Sequence, residues 1–367
     1  MRFQARHYAT GEPLAIRIDA GRIVEVGPAT GEVSSWVGPS YFDVQVNGSR
    51  GISFNAPTLS VDEVRRVADE VQSHSCGGFC PTLVTAGAEA LTHGFATLAR
   101  TCDSDADLAR AMPGFHLEGP YIAAEDGPRG AHPKVHVRPP DRDEFRRWQD
   151  AAGGRIRLVT LAPEVPGGLS FIEWLTAQGV VVAIGHTAAN GATIRDAAAA
   201  GARLSTHLGN GCHAVLPRHD NYIWEQLAHD ALWASVIADG HHLPPSVLKC
   251  VLRVKSPKRT VLVSDAGSLA GLRPGRYDCW GQEFEVHPAG KIVVPGTGFL
   301  AGSAVFLNRC VAHAISGGFA TPADAIGMAA ERPRELLGLP VPRIAAGEIA
   351  DIAVVRDDGT TISLGAN

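Results

Sequence analysis

Four short apolar runs in this chain each end on a side chain that can bind a metal ion or move a proton. The four tips are Glu118, His186, His207 and Asp265. In a (β/α)8 barrel, the carboxyl ends of all strands lie at one face, and the active site is built there. If the four runs are strands of one barrel, their tips converge on that face. The pattern therefore predicts a metal-dependent enzyme.

Two imidazoles and one carboxylate are a suitable ligand set for a catalytic metal ion that keeps an open position for water. Glu118, His186 and His207 supply this set. Asp265 is the predicted general base, because a carboxylate beside the metal can accept a proton from water. Taken singly, each ligand could be a satisfied polar residue at a strand end, and Asp265 could cap the following turn. Three ligands at equivalent strand ends favour the metal site.

Strand-like apolar segments alternate with segments of helix length from about residue 40 onward. This alternation is typical of a parallel sheet, and strands that are buried on both faces are continuously apolar. Eight such strands close a TIM barrel. The predicted strands are Phe42–Val46, Phe79–Val84, Gly114–Leu117, Ile156–Leu161, Val180–Ile184, Arg203–Thr206, Ala234–Ala238 and Thr260–Ser264.

The two ends of the chain differ from the middle, because they contain short strand-like runs separated by turns with glycine. Such runs occur between residues 14 and 26 and again between residues 349 and 363. We expect the two ends, residues 1–39 and 341–367, to pair into one small β-sandwich domain. The barrel would occupy residues 40–340, inserted between them.

A β excursion is predicted at about residues 272–298, where a helix would otherwise follow the last barrel strand. Aromatic and branched residues alternate with polar ones there, and Trp280 is among them. We expect this excursion to pack beside the small domain or at a subunit contact. Helices are then predicted at Val305–Ile315 and Pro322–Leu337.

Composition and charge exclude several classes of protein. The chain has 367 residues, 45% of them hydrophobic, and a formal net charge of −5, so an extended basic surface for nucleic acid is not expected. The amino terminus lacks the apolar core of a signal peptide, and no run approaches the roughly 18 apolar residues that cross a bilayer. Seven scattered cysteines do not indicate a disulfide framework. We expect a cytoplasmic protein with neither a membrane nor a nucleic-acid partner.

Several motifs occur in order between about residues 40 and 303: Asp43–Gly48, His116–Pro120, Gly127–Pro133, Gly185–Thr187, Thr206–Asn210, Ala238–His242 and Ser264–Ala266. Together they resemble the N-acetylglucosamine-6-phosphate deacetylases of the amidohydrolase superfamily. Most members of that superfamily have His-x-His in the first strand, whereas this family and this chain have Gln45-Val46-Asn47. Without those two imidazoles, the resemblance implies one divalent metal ion per subunit. Zinc is preferred, although iron or another divalent ion fits the same ligands.

The resemblance also implies a role for each site residue. Glu118, His186 and His207 would bind the metal, and Asp265 would be the catalytic acid and base. Arg218 and His242 would hold a sugar phosphate, since charged donors, and the planar guanidinium above all, suit phosphate oxygens. The complete set of substrate-binding positions is Ala131, His132, Asn210, Gly211, Arg218, Asp239, His242, Leu300, Ala301 and Gly302.

The activity that the resemblance implies is hydrolysis of the acetamide of N-acetylglucosamine-6-phosphate to glucosamine-6-phosphate and acetate, in a homodimer. The segment 209–222 departs from the family pattern, because His219-Asp220-Asn221 follows Arg218 in place of Glu-Pro-Gly. N-acetylgalactosamine-6-phosphate or an unphosphorylated N-acyl amino sugar therefore stays open as the substrate. A non-catalytic sugar-phosphate binding protein is less favoured, because all four chemical residues are present.

Overall fold

The computed structural model describes residues 1–279, 282–296 and 300–362 of the chain. Within that part, the strands are β1 (Arg2–His7), β2 (Pro13–Asp19), β3 (Arg22–Pro28), β4 (Ser35–Pro39), β5 (Tyr41–Val46), β6 (Gly48–Ser49), β7 (Ile52–Ser53), β8 (Cys76–Val84), β9 (Phe115–Glu118), β10 (Ile156–Leu161), β11 (Val181–Ile184), β12 (Leu204–Ser205), β13 (Trp233–Ile237), β14 (Thr260–Val263), β15 (Gly275–Cys279), β16 (Gln282–His287), β17 (Lys291–Val293), β18 (Leu300–Ser303), β19 (Ile352–Arg356) and β20 (Thr361–Ile362).

The α-helices of the described residues are α1 (Val61–Ser73), α2 (Ala88–Ser104), α3 (Ala106–Ala111), α4 (Arg142–Ala151), α5 (Gly168–Thr176), α6 (Gly191–Ala199), α7 (Tyr222–Ala228), α8 (Pro245–Lys255), α9 (Leu307–Ser316), α10 (Pro322–Ile326) and α11 (Arg332–Leu336). A 3-10 turn lies at Lys134–His136 and a π-helical turn at Gly327–Glu331. Among these helices, none is both long and apolar enough to cross a bilayer.

Eight parallel strands form the barrel, in the order β5, β8, β9, β10, β11, β12, β13 and β14. They are the eight strands that the sequence predicts, with small shifts at their ends. Every residue of β5, β9, β13 and β14 is buried. This burial explains why the predicted strands read as apolar runs without alternation. Val46 and Ala266 pair across the gap between the first and the last strand.

Strands from both chain ends form a six-stranded sheet, in the order β20, β19, β4, β1, β2, β3. Its core includes Ala5, Ile16, Val37 and Val354. The predicted fold class, a barrel with a small β-domain built from both termini, is confirmed. The residue boundaries of the two domains stay predictions, and Ser363, which was expected in the last strand, lies outside the described residues.

The predicted excursion after the last barrel strand is a four-stranded antiparallel sheet of β15 to β18. Trp280, which was predicted within it, lies outside the described residues. Ser303, in β18, pairs with Ala266, three residues after the end of β14. This sheet therefore reaches the carboxyl-end face of the barrel, a position that the sequence did not predict.

The helix predicted at Pro322–Leu337 is interrupted by the π-helical turn Gly327–Glu331, which separates α10 from α11. Pro333 explains the interruption, because proline has no backbone N–H and cannot donate the regular helical hydrogen bond. A wider turn accommodates the missing donor. The other predicted helix, Val305–Ile315, is α9.

Arg334, at the opposite end of the barrel from the predicted site, connects α11 to the start of β5. Arg334 is 4% exposed, and its guanidinium donates to the carbonyls of Ser40 at 2.7 Å and Ala330 at 2.8 Å. Arg334→Leu leaves these carbonyls without their donor, so we expect the free energy of unfolding to fall by about 2–4 kcal/mol. Urea unfolding measures the change. Arg17→Leu is the control. Arg17 forms an exposed ion pair with Glu25, so this replacement should cost less than about 1 kcal/mol. Equal losses in the two variants would contradict the structural role of Arg334.

Candidate metal centre and active site

Glu118, His186 and His207 meet at the carboxyl-end face of the barrel. Glu118 is the last residue of β9, and the two histidines each lie two residues beyond a strand, β11 and β12. Glu118 Oε1 is 3.1 Å from His186 Nε2 and 3.0 Å from His207 Nε2. All three side chains are buried, and one ligand atom from each lies within 4.8 Å of the others. The predicted ligands are therefore close enough to bind one cation.

The hydrogen bonds around His186 favour a cation in this position. Its Nδ1 donates to the Pro128 carbonyl oxygen at 2.8 Å, and in a neutral imidazole this leaves a lone pair on Nε2. That lone pair faces an oxygen of Glu118, which is also an acceptor. Two acceptors in contact need a proton or a metal cation between them. Two imidazole nitrogens and a carboxylate oxygen suit zinc and related divalent ions.

The charges within the ligand set shift the pKa of two members. Burial on its own would raise the pKa of Glu118, but hydrogen bonds and charges from His186 and His207 hold that pKa well below its usual range. Burial on its own would lower the pKa of His207, but Glu118 outweighs burial and raises it. Without metal, Glu118 therefore stays ionised, and His207 holds a proton to higher pH than an ordinary histidine; a cation must displace that proton to bind.

The backbone is unusual at three of the four predicted chemical residues. His186, His207 and Asp265 have φ angles of 51°, 29° and 50°, in a region that residues other than glycine rarely adopt. Each of them lies two residues past the end of its strand. Such conformations persist where the surrounding structure enforces them, and they are frequent at functional sites.

Asp265 is half-buried at the barrel mouth, and its Oδ1 accepts hydrogen bonds from two side-chain amides. Gln45 Nε2 lies at 3.0 Å and Asn47 Nδ2 at 2.7 Å. Burial and the nearby Glu118 charge raise the pKa of Asp265, while His207, among other groups, lowers it. A carboxylate whose pKa is raised is a stronger base than an exposed aspartate.

His132 also lies against the ligand set. Its Nε2 is 3.2 Å from His186 Nε2, and its Nδ1 is 2.7 Å from Thr85 Oγ1. Burial and the neighbouring His186 lower the pKa of His132 to about 3, so its imidazole is neutral. The predicted substrate-binding residue Ala131 precedes it on the same loop and is exposed.

Asp239 and His242 form a second pair at the mouth, after β13. Asp239 Oδ2 is 2.7 Å from His242 Nδ1, and both side chains are nearly enclosed, at 0% and 6% exposed. Burial alone would raise the pKa of Asp239, but the hydrogen bond and charge of His242 lower it. Asp239 thus fixes the orientation of the His242 ring.

Apart from Arg218, the remaining predicted substrate-binding residues lie on two segments at the mouth. Asn210 donates from its backbone to His207 O at 2.9 Å, and a Cβ on Gly211 would come within 2.7 Å of His186 Nδ1. Leu300, Ala301 and Gly302 are half-buried residues of β18.

Arg218 is placed differently from the other predicted substrate-binding residues. It is exposed on the loop before α7, and its side chain has no hydrogen-bond or ion-pair partner among the residues that the structure describes. Among the described residues, the structure therefore shows no polar contact between the guanidinium and the other predicted site residues.

Sequence reasoning missed Thr85 and the Pro128 carbonyl, and it gave no specific role to Gln45 and Asn47. Thr85 and Asn47 each directly follow a barrel strand, β8 and β5. Applying the strand-end rule to all eight strands would have found both. No sequence signal indicates the Pro128 carbonyl, because any residue supplies one.

The family model described as the Amidohydrolase family matches residues 36–364. The N-acetylglucosamine-6-phosphate deacetylase of Bos taurus is 36% identical over 87% of this chain and 79% of its own length. This chain is a member of the N-acetylglucosamine-6-phosphate deacetylase family of amidohydrolases. The amidohydrolases are metal-dependent hydrolases, and the buried Glu–His–His cluster agrees with that chemistry.

Two further relatives are a deacetylase of a different sugar phosphate and a deacetylase of known structure. The N-acetylgalactosamine-6-phosphate deacetylase of Escherichia coli O157:H7 is 32% identical over 88% of this amidohydrolase and 85% of its own length. A mutant N-acetyl-D-glucosamine-6-phosphate deacetylase from Mycobacterium smegmatis, solved in complex with N-acetyl-D-glucosamine-6-phosphate, superposes with a TM-score of 0.86. It is 30% identical, with 98% of this chain and 96% of that chain covered. The barrel and the six-stranded sheet are therefore shared with that structure.

The raised pKa of His207 predicts that cation binding depends on pH. Below that pKa the imidazole is protonated and cannot bind metal, so zinc affinity should fall as the pH falls through the raised pKa of His207, by about tenfold per pH unit for each proton displaced. Competition with a zinc chelator measures the slope. His213→Gln, which removes an imidazole outside the ligand set, should leave the slope unchanged. An affinity that does not vary as the pH passes through that pKa would contradict the assignment.

Proposed function

We propose that this amidohydrolase removes the acetyl group of N-acetylglucosamine-6-phosphate, with one divalent metal ion per subunit. The main support is the convergence of Glu118, His186 and His207 on a common point, with the half-buried Asp265 beside them. The names of the relatives, and the sugar phosphate bound in the Mycobacterium smegmatis complex, support the substrate.

A divalent cation held by Glu118, His186 and His207 would polarise the acetamide carbonyl and make water more acidic. Asp265 removes a proton from the attacking water and returns it to the sugar amine as that group leaves. Because Thr85 donates to His132 Nδ1 in this proposal, the ring keeps its proton on Nε2. His132 can then donate a hydrogen bond to the acetyl carbonyl oxygen as negative charge develops on it.

The role proposed for Asp265 is tested with Asp265→Asn, which keeps the size of the side chain but removes the base. We expect kcat to fall by about 10²–10⁴-fold, while the purified variant still binds one equivalent of zinc. Steady-state kinetics and metal analysis measure the two quantities. Near-native turnover by the metal-loaded variant would reject this role, and a loss of metal in parallel with activity would indicate a ligand instead.

Zinc is the metal that we propose, because two imidazoles and one carboxylate form a common catalytic zinc site. Iron or another divalent ion remains compatible with the same ligands.

We also propose a cytoplasmic location. All seven cysteines are free thiols, which is typical of proteins in a reducing compartment.

The exposed position of Arg218 is the reason to propose a homodimer. The same segment exposes Val215, at 88%, and Trp224, at 56%, and Trp224 Nε1 donates to the Arg218 carbonyl at 3.3 Å. Apolar side chains beside an arginine that has no side-chain partner in the described part of the chain fit a subunit contact. In this proposal, Arg218 reaches the phosphate in the partner subunit's site, and His242 is the phosphate ligand from the same subunit.

A phosphate anchor predicts a strong preference for phosphorylated substrates. A charge-assisted hydrogen bond contributes about 1.5–3 kcal/mol, so Arg218→Leu should lower kcat/KM for N-acetylglucosamine-6-phosphate by about 10- to 100-fold. The rate on plain N-acetylglucosamine should not change. Arg17→Leu, at a distant exposed ion pair, is the control. Equal wild-type rates on the two sugars would remove the phosphate anchor.

N-acetylgalactosamine-6-phosphate is the second candidate substrate, because the Escherichia coli O157:H7 relative is named for it. The two sugar phosphates differ only in the configuration at C4. Asn210 and Gly211, near the start of the divergent segment 209–222, lie beside His207 and His186, and in this proposal they contact that carbon. Comparing kcat/KM for the two substrates decides between them.

A further inference from the structure

Three polar side chains, Asp43, Gln45 and Asn47, alternate along β5 and the residue after it. With a repeat of two residues they lie on one face of the strand. Asp43 and Gln45 are each only 1% exposed. Buried polar groups are costly unless they are hydrogen-bonded, and each of these three side chains has a hydrogen-bond partner at Asp265 or at the residue before it.

The first partners are backbone groups on either side of Asp265. The Asp43 carboxylate accepts from the Ser264 amide, at 3.2 and 3.3 Å to its two oxygens. On the other side, the backbone amide of Asn47 donates to Ala266 O at 2.8 Å. The first strand of the barrel therefore holds the residues directly before and after the proposed base.

The side-chain amides hold the carboxylate of Asp265 itself. Gln45 Nε2 and Asn47 Nδ2 both donate to Oδ1, at 3.0 and 2.7 Å. Oδ2 accepts no hydrogen bond from any residue in the described part of the chain. One oxygen is thus occupied twice, while the other is left to accept a proton.

We propose that Gln45 and Asn47 are positioning residues, which hold Oδ1 of Asp265 so that the carboxylate keeps one orientation and takes protons through Oδ2. This inference depends on the proposed function, because Asp265 is the general base there. Neither amide touches the reacting atoms in this proposal. Both act only through Asp265.

The chemistry of an amide suits this role better than that of a charged donor. A lysine or arginine at either position would form an ion pair with Asp265 and make its carboxylate a weaker base. An amide orients the oxygen without adding charge, and it cannot take the proton that Asp265 must pass on. Two donors from different positions also fix the rotation of the carboxylate, which one donor would not.

Gln45→Met and Asn47→Leu test the proposal, because each keeps most of the volume and removes the donor. We expect kcat to fall by about 10- to 100-fold in each variant, with KM and zinc content near those of the wild type. Loss of donors to an ionised carboxylate raises its pKa. The acidic limb of the pH profile of kcat should therefore move to higher pH.

A double-mutant cycle separates positioning from a structural role. On an Asp265→Asn background, Gln45→Met should change the residual kcat by less than about twofold, because there is no base left to position. Gln149→Met is the matched control: it removes a half-buried amide that binds the Ile156 backbone, far from the mouth. It should leave kcat and the pH profile unchanged, even if the melting temperature falls.

A crystal structure of the Gln45→Met/Asn47→Leu variant provides a readout that needs no activity. We expect the Asp265 carboxylate to rotate or to occupy several conformers, while Glu118, His186 and His207 do not move. An Asp265 that keeps its orientation would overturn the proposal, as would an unshifted pH profile or an equal loss on the Asp265→Asn background. Wild-type protein that is inactive on every N-acetyl hexosamine phosphate would refute the proposed function instead, and the crystal structure would still test the positioning.

Discussion

A buried carboxylate needs compensating positive charge. At the mouth of this barrel, Oε1 of Glu118 contacts two imidazole nitrogens, His207 Nε2 at 3.0 Å and His186 Nε2 at 3.1 Å. Much of the site follows from that requirement. The two histidines must turn back toward Glu118 after their strands end, which requires positive φ angles at both. The Pro128 carbonyl fixes the His186 tautomer, so the loop after β9 is also needed for the site. A cation held by Glu118, His186 and His207 would compensate the carboxylate charge and accept the lone pairs of both imidazoles.

The barrel divides the chemistry between two groups of strands. The segments at the ends of β9, β11 and β12 supply the three proposed ligands for a cation, while those of β14 and its neighbour β5 supply the proposed base and the amides that bind it. Because β5 and β14 are the first and last strands of the barrel, the segment that closes the barrel also orients Asp265. Stability and catalysis are therefore coupled here, since a change that loosens this closure should also disturb the base.

The positions of the ligands could be predicted because they depend on one general rule, the convergence of strand ends. Local apolar runs locate the strands, and the next polar residue locates the tip. The hydrogen bonds from Gln45 and Asn47 to Asp265 could not be predicted, because they join residues that are more than 200 positions apart. The exposure of Arg218 depends on how the divergent segment 209–222 folds, and the resemblance implied a role for Arg218 but not the conformation of that segment. The interruption before α11 could have been predicted from Pro333, although the apolar pattern continues through it.

The central claim is that one cation is bound by two imidazoles and one carboxylate. X-ray absorption spectroscopy on zinc-loaded protein tests it directly. We expect one zinc per subunit, with nitrogen and oxygen neighbours at about 2.0–2.2 Å and no sulfur neighbour near 2.3 Å. Replacing His207 with alanine should remove one imidazole from the spectrum. A sulfur ligand, a second metal within about 4 Å, or a spectrum unchanged by that substitution would contradict the account.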